Sequence, residues 1–244
     1  MAVIGLQGIR GGVGTTSIAA ALGWALQQLG ESVLVIDASP ANMLRLFFNI
    51  ELADSRGWAR SMLDNQPWEQ AGWRYVSHLD ILPFGNLTAA EQLDFGALAP
   101  RLAAFSDSLA RLKASGRYQW ILLDLPAETT PLTRQLLDQA DHIMTVVRPD
   151  ANCHIRLHQQ LLPEGALLLV NYLLVGSKVQ DDIYQLWISA QPRLVPIAIH
   201  RDEAVSESLA MKQPPGEYQI QSLAAEEVLT LANWCLLRLA GRAE

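Results

Sequence analysis

Two hydrophobic patterns alternate from one end of the chain to the other. Runs of consecutive apolar, mostly aliphatic residues fall at 2–7, 32–37, 79–84, 120–125, 142–147, 166–171 and 193–199. Between the first two runs the spacing changes. Ile18, Leu22, Ala25, Leu26 and Leu29 lie on one helical face, and Gly30 follows as a stop. Further helical patterns cover 101–114, 131–139, 151–161, 180–190, 203–212 and 222–240. Strands that are apolar throughout are covered on both faces, and helices between them make the sheet mostly parallel. The pattern predicts an α/β fold in a single domain over 1–244, a twisted sheet of about seven or eight strands with helices on both faces. Residues 51–77, with Trp58, Trp68 and Trp73, are the least regular stretch; they read as local packing or as an insertion that meets a partner.

Composition narrows the classes of function. Half the residues are hydrophobic, enough for a sizeable core, and the net charge is −7. The 18 basic residues are scattered without a run, which argues against a nucleic-acid binder with a broad basic face. Cys153 and Cys235 are far apart and form no metal or redox motif, as expected in a reducing cytosol. The start "MAVIGLQGIR" has no basic segment ahead of its apolar stretch, so no signal peptide is expected, and no apolar run approaches a membrane span. The expectation is a soluble cytoplasmic protein.

The chemistry begins at "QGIRGGVGTTSIA", Gln7–Ala19. A strand, a loop with Gly8, Gly11, Gly12 and Gly14, and a helix are the context of a phosphate-binding loop. Such a loop reads G-x-x-x-x-G-K-[ST], in which backbone N–H groups cradle phosphates, the lysine reaches them and the hydroxyl binds Mg²⁺. Here the lysine position holds Thr15, while Thr16 keeps the hydroxyl. The chain has only three lysines, Lys113, Lys178 and Lys212, and none is near the loop.

"RGGVGTTS" resembles the deviant loop K-G-G-x-G-K-[ST]-[ST] of the MinD/ParA ATPases. The resemblance implies ATP and Mg²⁺ as cofactors, with ATP sandwiched in a homodimer and the loop's first basic residue, here Arg10, reaching the partner subunit's nucleotide. It places Gly11, Gly12, Val13, Gly14, Thr15, Thr16 and Ser17 around the phosphates. "VLVIDASP" resembles the family's D-x-D segment, with Asp37 matching its first acid and Ser39 standing where the second, water-positioning acid would be. "WILLDLP" resembles the strand that ends in a metal-directed acid, here Asp124. Thr16, Asp37 and Asp124 are thus the implied metal residues, and Thr15 and Ser39 mark degenerate catalytic positions. At the base end the resemblance implies Asn171 in "ALLLVN", with Arg201 and Asp202 beside His200. Arg156 is a second candidate to cross the dimer; Arg148 reads as an ordinary surface arginine.

Other features carry less. His154 and His158 have a spacing capable of binding zinc but lack an evident third ligand. The tail "LTLANWCLLRLAGRAE" is poor in lysine and arginine, so a helix packed on the sheet is expected and no direct membrane insertion. "SGRYQWILLDLP", "DANCHIRLHQQ" and "AAEEVLTLANWCLL" resemble, over nearly the whole chain, the MinD/ParA-like components of bacterial cellulose secretion systems. That likeness implies a part in cellulose export and biofilm matrix, at the inner membrane through partners: a BcsR-like small protein, a BcsE-like regulator and the inner-membrane cellulose synthase. Three functions remain open: an ATP-gated scaffold with slow or absent hydrolysis, an actively cycling ATPase that positions or partitions cargo, and an ATP-using biosynthetic enzyme. Losses confined to Thr15 and Ser39, with Gly14, Thr16, Asp37 and Asp124 retained, favour the first.

Overall fold

The computed structural model describes residues 1–240; the last four residues of the expected domain lie outside the described residues. In chain order the elements are β1 (Ala2–Gly8), α1 (Thr15–Gln28), β2 (Val33–Asp37), α2 (Trp58–Leu63), β3 (Trp73–Val76), β4 (Leu79–Leu82), α3 (Ala89–Leu93), α4 (Phe95–Ala103), α5 (Phe105–Ala114), β5 (Trp120–Leu125), α6 (Pro131–Leu137), β6 (His142–Val147), α7 (Ala151–Gln159), β7 (Leu167–Leu173), α8 (Lys178–Ala190), β8 (Leu194–His200), α9 (Glu203–Ala210), α10 (Pro215–Tyr218) and α11 (Leu223–Arg238). Single 3-10 turns occupy Leu44–Phe48 and Trp68–Ala71.

The strands form one eight-stranded sheet in the order β3-β4-β2-β5-β1-β6-β7-β8. All pairs are parallel except β3 with β4. The mostly parallel sheet matches the expectation, and β3 is the strand that the apolar runs do not reveal. It is an edge strand of four residues whose Arg74 is exposed and whose other side chains are only half-buried, so it never forms an apolar run. The helix expected at 101–114 is two helices, α4 and α5, which meet at Ala104. Pro100 lies inside α4 and does not precede it.

Period-two alternation divides the strands between two faces. Ile4, Leu6, Val33, Val35 and Leu122 pack with Leu22 and Leu26 of α1 and with Val228 and Leu231 of α11. Val3, Leu34, Ile36, Ile121 and Leu123 face the other way, onto Trp58, Phe105, Leu109, Leu132 and Leu136. Farther along that sheet, Val146, Leu168 and Val170 meet Cys153 and Trp187. The last helix therefore packs against the sheet, and burial pushes its Cys235 thiol up to about 12. Among the described residues, no helix is long and apolar enough to cross a membrane.

The irregular stretch 51–77 is tied to the core through Trp58. Its ring stacks on Phe105 at 4.0 Å between centroids and meets Phe84 edge-on at 5.1 Å. Its indole N–H donates to the carbonyl of Asp37 at 2.8 Å, so a core side chain fixes the C-terminal end of β2. We expect Trp58→Ala to destabilise the protein by about 3–5 kcal/mol, the usual cost of emptying an aromatic site. Trp58→Phe, which keeps a ring and loses only the indole donor, should cost clearly less. Urea denaturation midpoints of the two variants and the unmodified chain measure both effects.

Candidate functional site

Every sequence candidate at a strand end lies along the C-terminal edge of the sheet, where open α/β sheets place their ligands. After β1 the chain turns through Ile9–Gly14 into α1. Gly12 and Gly14 have φ of +76° and +87°, a backbone region that favours glycine. At Gly14 space is equally decisive, since a Cβ there would come within 2.4 Å of Asn171 Nδ2. That amide, nearly buried, donates to the Val13 carbonyl at 2.8 Å. The loop is therefore wrapped over a side chain from β7. No side chain caps the start of α1, so its first N–H groups remain available, as in anion-binding helix termini.

Below the loop, Asp37 ends β2 and Asp124 is the last residue but one of β5; the strands are adjacent and parallel, with these two residues in register. Both are buried. Asp37 is held in place by its neighbours: Oδ1 accepts from the Ser39 N–H at 2.9 Å and Oδ2 from the Leu44 N–H at 3.0 Å. Asp124 Oδ2 is buried without a hydrogen-bond partner, and the nearby Thr16 hydroxyl is the group that favours its charged form. Burial pushes Asp37 up to about 7, opposed by the two N–H groups and by Arg45. Burial raises Asp124 well above the usual carboxylate range, the Asp37 charge raises it further, and Thr16 opposes both. Two close carboxylates, an orphaned oxygen and a hydroxyl are a hard-oxygen donor set suited to a divalent cation of the Mg²⁺ type.

The arginines are arranged differently from the simplest expectation. Arg10 does not extend away from its own subunit: Nη2 contacts Asp150 Oδ2 at 2.7 Å and Nη1 donates to the Gly11 carbonyl at 2.9 Å. Asp150 also caps α7, accepting from the Cys153 N–H. Arg156, midway along α7, donates through Nε to Asn152 and has no carboxylate within 4.0 Å among the described residues. It lines a cleft of about 530 Å³ with Arg10, Gly11, Glu128 and Arg134. Ser39 lies in the turn that Asp37 holds, its hydroxyl accepting from the Ala41 N–H at 3.3 Å.

At the far end, Asp202 is engaged in structure. Its Oδ1 accepts from the Ala204 N–H, capping α9, and its Oδ2 from the Ala224 N–H at the start of α11. Arg201 is half-exposed, with Glu203 at 3.9 Å and the Tyr172 ring centroid at 5.6 Å from its guanidinium. His154 and His158 pack edge-on, and His154 Nδ1 accepts from the Trp187 indole. Among the described residues no group of three or more His, Cys, Asp or Glu side chains is placed to hold a metal ion.

The sequence reading overlooked two residues that hold this site. Arg45 is 3% exposed, and its guanidinium binds the carbonyls of Asn42, Glu51, Leu52 and Asp54 and the Asn86 side chain. Its signal was an arginine inside the otherwise apolar "LRLFF". Gln7 is the second: its amide donates to the Pro126 carbonyl at 3.1 Å, fixing the segment after Asp124 to β1. A polar residue in a fully buried strand marked it.

These features define a MinD/ParA-like P-loop fold. A chain of the MinC:MinD cell division protein complex from Aquifex aeolicus superposes with a TM-score of 0.78 at 19% identity, covering 98% of this chain and 96% of that one. The septum site-determining protein MinD complexed with Mg-ADP, from Pyrococcus horikoshii, gives a TM-score of 0.74 at 19% identity and covers 99% of both chains. Residues 1–236 match the family model described as cellulose biosynthesis protein BcsQ. The chain is 61% identical over 241 residues to the cellulose biosynthesis protein BcsQ of Salmonella typhimurium, covering 99% of this chain and 96% of that protein. This chain belongs to the BcsQ family of cellulose biosynthesis proteins.

The raised carboxylates set a pH dependence whose sign is determined. Between the ordinary carboxylate range and about 7 the folded protein binds more protons than the unfolded chain, so stability falls as pH rises through that window. Thermal melts of nucleotide-free, Mg²⁺-free protein from pH 5 to 8 should show this decline. Asp124→Asn, which removes one charge of the pair, should flatten it and melt higher at pH 8; an unchanged slope would contradict the paired-carboxylate account.

Proposed function

We propose that the chain is one MinD/ParA-like nucleotide-binding domain that binds ATP with Mg²⁺ and acts as a nucleotide-gated dimeric scaffold of the bacterial cellulose synthase secretion complex. One observation carries the reading: the orphaned oxygen of Asp124 beside Thr16 and Asp37, under a glycine loop that has no lysine. Binding groups are retained where a cation and phosphates would sit, while the positions that would drive phosphoryl transfer are uncharged. Mg²⁺ would neutralise the phosphate oxygens when bound. In this reading Gly11–Ser17 cradle phosphates, Thr16, Asp37 and Asp124 support the metal, and Asn171, Arg201 and Asp202 border the base.

The charged groups around the cleft support dimerisation. Arg134, Arg156 and Glu128 all line it, a mixture of signs that a two-fold interface can satisfy reciprocally. Arg10 reaches a second subunit only by leaving Asp150, so that ion pair is the contact a bound nucleotide would have to replace. Thr15 supplies no charge at the transferring phosphoryl group and Ser39 no carboxylate to orient water, which makes turnover slow or absent. The remaining elements of the proposal are a role in cellulose output and biofilm matrix, and partners resembling BcsR, BcsE and the inner-membrane synthase that bring the protein to the membrane.

Phosphate release by purified protein tests the chemistry. Unmodified protein should turn over slowly, and Thr15→Lys with Ser39→Asp should raise the rate more than either change alone, the two groups acting as a unit. Fast hydrolysis by the unmodified chain would replace the scaffold reading with that of a cycling ATPase. Light scattering tests the assembly: Mg-ATP should double the mass, and Arg156→Glu, which sets a carboxylate beside phosphates, should weaken that dimer. The same mass with and without ATP, in both proteins, would refute the nucleotide-gated dimer.

A further inference from the structure

Tyr172, directly after Asn171, is held in the left-handed region with φ +63°, an outlying conformation for a bulky side chain. The register explains how it arises. From Val170 to Leu173, β7 advances three residues while β8 advances two, from Ala198 to His200, so β7 carries a bulge at this point. Asn171 turns toward Val13 at the bulge, and the ring of Tyr172 lies beneath two guanidinium groups. Arg148, after β6, stands 4.4 Å from the ring centroid, and Arg201, after β8, stands 5.6 Å away.

Neither arginine has a better anchor. The carboxylate oxygen facing Arg148 belongs to Asp150 at 3.9 Å, and Arg201 meets Glu203 at the same distance, both beyond hydrogen-bond reach. Arg148 Nε is buried and without a partner. The ring is the shared contact of two cations that come from different strand ends, and the backbone adopts an unfavourable conformation to place it there. Strain of this kind persists where surrounding structure imposes it, and here it sits beside the segment that the nucleotide reading gives to the base.

We propose that Tyr172 is a positioning residue for the nucleobase: its ring aligns Arg148 and Arg201 so that their planar guanidinium groups meet a purine at the β7–β8 end of the site. The inference rests on the nucleotide reading above. Arg148 thereby changes from a surface residue into part of the base site. A guanidinium can stack on a base and donate to its ring nitrogens, which an unaligned, fully hydrated arginine does less well.

The test is calorimetric titration of the full-length protein with Mg-ATP and with Mg-tripolyphosphate, which has a phosphate chain and no base. Tyr172→Gly removes the ring and relieves the backbone, so the variant should melt no lower than the unmodified protein yet bind Mg-ATP about tenfold more weakly. Tripolyphosphate affinity should not change. Tyr172→Phe, which keeps the ring, should restore the lost ATP affinity, whereas a merely structural role predicts that affinity follows melting temperature. Tyr172→Asn, tolerated in the same backbone region, gives the same comparison should the glycine variant fold poorly. Undiminished ATP affinity in the glycine or asparagine variant overturns the inference, as does an equal loss for both ligands. Unmodified protein that binds neither ligand overturns the nucleotide reading itself.

Discussion

Two carboxylates forced side by side out of water organise this molecule. Asp37 and Asp124 occupy the same register of adjacent parallel strands, and the apolar faces that bury β2 and β5 also bury these strand ends. A pair of negative charges in that setting is costly, and the surrounding structure offsets the cost unequally. Asp37 receives two backbone N–H groups and the field of the buried Arg45, while Asp124 has only the nearby Thr16 hydroxyl to favour its charge and keeps a bare oxygen. The asymmetry leaves one carboxylate oxygen unsatisfied, on Asp124 near Thr16 of α1. A chain selected only for stability would have placed an apolar residue or an amide at Asp124.

Much of the remaining architecture holds that edge rigid from below. Trp58 reaches from an irregular segment to the carbonyl of Asp37, and its stacking on Phe105 joins β2 to the helices covering the sheet. Arg45 gathers the carbonyls of Asn42, Glu51, Leu52 and Asp54, backbone groups that an irregular buried loop would otherwise leave unsatisfied. Asn171 does the same service for the glycine loop at Val13, and Gln7 for Pro126. Each of these supports is a polar side chain meeting a main-chain carbonyl. The segments around the carboxylates are thus fixed without regular secondary structure, and they can curve around a ligand.

The cations of the site are poised differently from its acids. Arg10 is paired with Asp150, Arg148 and Arg201 share an aromatic ring, and Arg156 has no acidic partner among the described residues. Each of these side chains keeps some exposure to solvent, so an anion can compete for them at less cost than for a fully buried ion pair. A rigid floor of acids beneath a movable rim of arginines is a physically sensible arrangement for a ligand that arrives with its own cation.

The repeating apolar runs determined the α/β class, the mostly parallel sheet and helices on both faces, because burial on two sides leaves a strand no polar position to alternate with. The glycine loop and the acids at strand ends were equally legible, since Gly12, Gly14, Asp37 and Asp124 stand where runs break off into turns. The edge strand β3 was not, because four half-buried residues with an exposed arginine carry no period. Nor were Arg45, Trp58 and Tyr172, whose roles depend on partners distant in sequence or on a bulge that no residue type announces. Sequence alone could list Asp37, Asp124, Thr16 and Asn171 as separate strand-end and loop residues. Only the strand order, with β5 between β2 and β1, sets the two acids against each other under Thr16, and only the packing of β7 puts Asn171 beneath Gly14. Neighbour relations among strands are settled by the crossing of helices over the sheet, a property of the whole chain and not of any stretch within it.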